Sequence, residues 1–258
     1  VQLRLCARGR TLNLRSGSGL DPATYFKSIG LLVRNPSILL APFAASLLQS
    51  VLLLMAGSML SGGVIGTLNA SLTQLIAQLL NSVGLAIAII VGDIAWRRGR
   101  AGFDEAWEDA RRKLPDILMA ALGFNFLVFV ASYIGSMFLG GIGALVLGAI
   151  ALFFFIYTMP AAAIGGIPGG AALQVSLERA RANVLPTLAV FVIYIGTFYI
   201  LSAYATGYVF LWLTSLGAPS SSVITALTVA VIQAILSGYV ALVLAKTYAD
   251  ISYGRRYY

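Results

Sequence analysis

Three long stretches of this chain carry no charge. Residues 35–92, 117–177 and 182–245, which are 58, 61 and 64 residues long, contain no Asp, Glu, Lys or Arg. One crossing of the bilayer core needs about 20 apolar residues. Inside that core every backbone polar group must find a partner within the protein, which leaves helices or closed barrels. Each interval is long enough for two helical spans and a tight turn. Turn-forming residues fall near each middle: Ser61-Gly62-Gly63, Gly140-Gly141 and Gly217-Ala218-Pro219-Ser220. The pattern predicts an all-α polytopic membrane protein with six transmembrane helices, at about 36–60, 67–96, 115–138, 141–164, 186–214 and 221–250. Composition agrees: 59% of the 258 residues are hydrophobic and 10% are charged, against about 25% charged in soluble domains.

The basic residues set the expected topology. Six lie before the first span, at 4, 8, 10, 15, 27 and 34, and six more between 97 and 113. Two follow at 179 and 181, and three at 246, 255 and 256, while the three hairpin turns carry none. All seventeen thus fall on one side, a positive-inside distribution. It predicts a multi-pass protein of the cell inner (cytoplasmic) membrane with both termini cytoplasmic, its basic face against anionic headgroups. The excess of eight positive charges therefore points to a membrane surface, not to nucleic acid. Residues 1–20 lack a continuous apolar core, so no cleavable signal peptide is expected. They read as a basic arm or a small hairpin ahead of a single transmembrane domain, residues 21–258.

A short polar or amphipathic segment precedes each expected hairpin: DPATYFKSIGLLVRNP (21–36), FDEAWEDARRKLP (103–115) and LQVSLERARANVLP (173–186). Each ends in a proline that is expected to open a span. The chain so divides into three parallel repeats, about 21–100, 103–166 and 168–256, each a cytoplasmic interfacial helix followed by a helical hairpin. With RNP ahead of the first span and the later segments AWEDARRKLPDIL and SLERARANVLPTL, the chain resembles a diffuse group of uncharacterised prokaryotic six-helix integral membrane proteins. The membrane domain attached to some glycerophosphodiester phosphodiesterases belongs to that group. The resemblance implies an all-helical membrane fold and carries over no catalytic residues.

The chemistry available is narrow. The chain has no histidine and one cysteine, Cys6. That excludes Ser-His triads, HExxH zinc sites and disulfide frameworks; no catalytic, cofactor or metal site is expected. Two segments repeat a closing signal: Asp93, Trp96 and Arg97 in GDIAWRRGR, and Asp250 and Tyr253 in ADISYGRR. Arg97 lies four residues after Asp93 and Lys246 four before Asp250, so each carboxylate has a cation on its own helical face. Trp96, Trp107 and Tyr253 are candidate interfacial anchors. On the second span Ser71, Gln74, Gln78 and Asn81 form a polar stripe, with Asn125 and Gln233 as candidate partners on other spans. Such a stripe is either interhelical glue or the wall of a hydrated path; glue is favoured. The fifth span is rich in tyrosine (Tyr194, Tyr199, Tyr204, Tyr208), as aromatic belts are.

Absent chemistry weighs against an enzyme. The expectation is a non-catalytic scaffold, assembly factor or accessory subunit, with a membrane-protein partner or a second copy. The alternative is a transporter or channel for a small solute or lipid.

Overall fold

A computed structural model describes residues 22–59, 64–215 and 222–254, with only the backbone described at 53–59, 64–71, 213 and 222–223. The N-terminal arm, the turns at 61–63 and 217–220, and the side chain of Ser71 lie outside the described residues. Among these residues the fold is all-α. Its helices are α1 (Pro22–Arg34), α2 (Ser37–Met59), α3 (Val64–Arg98), α4 (Phe103–Phe155), α5 (Thr158–Ala163), α6 (Gly169–Ala182), α7 (Val184–Ile195), α8 (Ser202–Ser215) and α9 (Ser222–Tyr253). A π-helical stretch, Gly196–Leu201, joins α7 to α8. Among the described residues four helical segments are long and apolar enough to cross a membrane, and five if the bent pair α1–α2 counts as one. This is consistent with a multi-pass membrane protein.

The long helix α4 is a hairpin. Leu139 (φ −131°, ψ 20°) and Gly140 (φ 59°, ψ −142°) leave helical geometry, and glycine adopts that positive φ without a Cβ penalty. On either side of the break Gly135 lies against Gly143, and Ser132 against Gly148. These pairings run in opposite directions along the sequence, so the two arms are antiparallel. A methyl group on Gly135 would overlap the carbonyl oxygen of Gly143. The arms therefore approach at backbone contact, as small residues permit.

Three segments depart from the sequence reading. Residues 103–115 do not form a separate interfacial helix; the helix runs unbroken through Pro115 to Phe138. Helix formation is cooperative, and a segment already wound over Phe103–Leu114 loses one backbone hydrogen bond at a proline without stopping. The expected span 141–164 ends early, at Phe155, and α5 follows as a separate buried turn. Ser176 of α6 bridges that break: its hydroxyl accepts from the Tyr157 N–H and donates to the Phe154 carbonyl, both at 3.0 Å. The expected span 186–214 contains the π-helical stretch. By contrast, α1 and α2 do bend apart at Asn35-Pro36, by 83°.

Hydrogen bonds gather the charged segments at one end of the bundle. The Asn35 amide accepts from the Ala101 N–H at 2.9 Å and Ser37 donates to the Ala101 carbonyl at 2.9 Å. Lys113 bonds Asp109 and the carbonyl of Ala163, at 2.8 and 2.9 Å. The core sits at this same end. It is built from α3 residues Leu85–Val91, α9 residues Val240–Ala245, α4 residues Ala106, Ala110, Ile117 and Ala120, and all of α5. Consecutive residues of α3 and α9 are buried around the whole helix, so these two are central, while α4 and α7 lie outside them. The α3 span is 61% buried against 22% for the α4 and α7 spans.

Candidate functional site

The charged ends of the two central helices are fastened to each other and to themselves. Asp93 is buried and pairs with Arg97. Lys246 and Asp250 pair at 2.8 Å, both largely buried. Trp96 joins the two helices: its indole N–H donates to the Leu242 carbonyl at 3.0 Å, and the Lys246 ammonium lies 5.9 Å from its ring centroid. Trp96 thus spends its polar edge inside the protein, unlike an indole anchored among headgroups. Trp107 is exposed and stacks on Phe103, with ring centroids 6.1 Å apart. Tyr253 is exposed and meets Tyr248 edge-on at 6.4 Å. Tyr248 in turn packs on the buried Tyr157 at 6.2 Å. These rings and ion pairs fill the charged end of the bundle.

Beyond this plug, away from the charged end, the described helices leave a space between them. A cavity of about 610 Å³ lies between α2, α3, both arms of α4, the α7–π segment and α9. It brings together Gln78, Asn81, Asn125 and Gln233, which lie up to 155 residues apart in the chain. Ser46, Gln49, Ser50, Ser82, Ser132, Ser237, Tyr194 and Tyr199 add polar groups to its wall, and among the described residues no charged one lines it. Leu85, Leu152, Phe155, Ile156, Met159 and Leu244 line the part nearest the plug. By chain position the amides thus lie in the half away from the charged end, where Val128, Leu145 and Val229 also line the wall, and the part nearest the charged end is mostly apolar.

Part of the polar wall is self-paired. The Asn125 amide donates to Ser82 at 2.9 Å and to the Ala121 carbonyl at 2.8 Å. Asn81 donates to Gln49, joining α3 to α2. Gln233 donates to Ser202 at 2.8 Å, joining α9 to α8. The bonds to Ser82, Gln49 and Ser202 each tie two elements, as interhelical glue does. The Gln78 amide and the Ser132 and Ser237 hydroxyls, however, make no hydrogen bond to another side chain among the described residues. Gln74 is exposed and lies outside the cavity.

The π-helical stretch shapes the remaining wall. One wide turn shifts the helical register, so that Tyr194, Phe198 and Tyr199 line the cavity while Tyr204 and Tyr208 face a separate shallow cleft. Tyr194 and Phe198 pack at 4.7 Å. π-bulges are frequent at functional sites. A straight-helix reading puts Tyr194, Tyr204 and Tyr208 on one stripe and misses this division. It also misses Ser46, Gln49 and Ser50 on α2 and Ser132 on the first arm of α4, which line the cavity as well.

No group of three or more His, Cys, Asp or Glu that could hold a metal occurs among the described residues. Comparison of the chain with protein-family models, with curated proteins and with solved structures finds no match.

Proposed function

We propose that the chain is a non-catalytic six-span protein of the cytoplasmic membrane that binds a small uncharged solute in this cavity and carries it across the bilayer. The transporter class thereby takes precedence over the scaffold. One observation carries the reading: four separate helices aim neutral amides and hydroxyls at a common space that packing leaves unfilled. Protein interiors ordinarily close to the density of organic crystals. Interhelical glue alone, typically about 0.6 kcal/mol per contact, calls for paired side chains but not for an open volume.

The absence of charge in the lining argues for an uncharged cargo, since a desolvated ion without a counter-charge is expensive. The plug at the charged end closes the cavity on what the basic residues mark as the cytoplasmic side. On this reading the cavity lies on the outer side of that plug. Passage inward requires the ends of α3 and α9 to part around Trp96, against the ion pairs Asp93–Arg97 and Lys246–Asp250.

Flux of small neutral solutes into proteoliposomes tests the reading. Uptake above that of protein-free vesicles is expected, and Asn81→Leu with Gln233→Leu should abolish it. Vesicles with folded protein and no excess uptake of any neutral solute would reject transport. A partner subunit or second copy against the exposed apolar faces of α4 and α7 would then be the reading to pursue, by co-purification in mild detergent.

A further inference from the structure

We infer that the cavity selects uncharged single-chain amphiphiles: molecules with one hydrogen-bonding head and one hydrocarbon chain. This rests on the cavity being the working site, as proposed above, and adds to it the chemistry of what it takes.

The grading of the wall carries the inference. A purely hydrophilic solute would leave the Leu85, Leu152, Phe155, Ile156, Met159 and Leu244 surface in contact with water or with polar groups. A pure hydrocarbon would strip water from the Gln78 amide and from the Ser132 and Ser237 hydroxyls, which make no hydrogen bond to another side chain among the described residues, and leave them unsatisfied. A molecule lying along the cavity with its head at Gln78 and its chain against the apolar floor satisfies both ends at once. The head must be neutral, because the lining offers amides, hydroxyls and phenols but no charge. Gln78 presents both a donor and an acceptor, so a hydroxyl or an amide head is matched. At about 610 Å³ the cavity falls in the range of drug-sized ligand pockets, with room for one chain but not for a two-chain phospholipid.

Cavity protection in lipid nanodiscs tests this. A Cys6→Ser, Ala149→Cys chain places the sole thiol on the cavity wall, where its maleimide labelling rate is the readout. Four probes of equal chain length are compared: a primary alcohol, the parent alkane, a quaternary ammonium and a sulfonate. The alcohol is expected to slow labelling at concentrations at least tenfold below those of the other three, and Gln78→Leu should erase that advantage. Labelling that responds equally to all four, or to none, overturns the ligand class while leaving a hydrated cavity in place. A thiol that resists maleimide in the unfolded-control-corrected assay overturns the cavity reading together with it. Unchanged protection by the alcohol in Gln78→Leu overturns the assigned head position and with it the inference.

Discussion

The indole N–H of Trp96 donates to the main-chain carbonyl of Leu242 at 3.0 Å, across 146 residues of sequence. It fixes the end of α3 against the middle of α9, one turn above the Lys246–Asp250 pair. Trp96→Phe keeps most of the packing and removes the bond, so a loss of about 1 kcal/mol is expected. Trp96→Ala also leaves a void and should cost about 3–5 kcal/mol. Thermal unfolding in detergent, followed by circular dichroism, checks the order. If the transport reading holds, Trp96→Phe should also speed inward passage, since it weakens the closed end.

Asp93 and Arg97 differ in burial, and that difference sets what each substitution does. The Asp93 side chain is 2% exposed and that of Arg97 is 44% exposed. Arg97→Ala removes a cation from a carboxylate that stays buried, and removing one partner of a buried pair typically costs about 3–5 kcal/mol. Partial exposure of Arg97 screens this, so about 1–3 kcal/mol is expected. Asp93→Asn removes the charge itself and should cost less than Arg97→Ala. The double substitution should recover part of the Arg97→Ala loss. Additive losses in a double-mutant cycle would show that the pair contributes nothing as a unit.

How far the sequence reads through to this structure follows from what each signal depends on. The ion pairs are spaced i,i+4 on single helices, so Asp93–Arg97 and Lys246–Asp250 are legible without a fold. The Gly140 reversal is legible because two adjacent glycines interrupt an apolar run. The cavity is not, because Gln49, Asn81, Asn125 and Gln233 meet only after α2, α3, α4 and α9 have packed. Periodicity places Gln74 and Gln78 on one face, yet only Gln78 reaches the cavity, since a helix face is wider than a cavity wall. Pro115 misleads because a proline signals a helix start only where no helix precedes it. The π-helical register shift at Gly196–Leu201 has no sequence signature that a regular 3.6-residue period can carry.

Glycines of the α4 hairpin should divide sharply by position. A Cβ at Gly135 or Gly143 would overlap the opposite arm's backbone, which has no side-chain freedom with which to yield. Gly135→Ala should therefore cost at least the ~3 kcal/mol at the upper end of usual overpacking losses. Gly148→Ala meets the Ser132 hydroxyl instead, and a rotating side chain makes it milder. Gly141 has open space around it; at that helical position Gly141→Ala should gain about 0.5–1 kcal/mol from helix propensity. Melting temperatures in detergent for the three variants should follow that order, and a Gly135→Ala protein as stable as the parent would refute the backbone contact.

Thr158 opens the buried helix α5, and its hydroxyl is buried with no hydrogen-bond partner among the described residues. A desolvated, unpaired hydroxyl is a standing cost of about 1–3 kcal/mol. Valine has nearly the same shape and preserves the packing of the two branches. Thr158→Val should accordingly stabilise the protein, by about 1 kcal/mol, where most buried substitutions destabilise. Thr158→Ser keeps the unpaired hydroxyl, loses a methyl group and should destabilise by about 1 kcal/mol. Opposite signs for the two variants, read as shifts of thermal midpoint, are the expected result. A loss of stability in Thr158→Val would mean that a bound water or a ligand accepts that hydroxyl's proton, and ordered water should then appear beside α5 in an experimental structure.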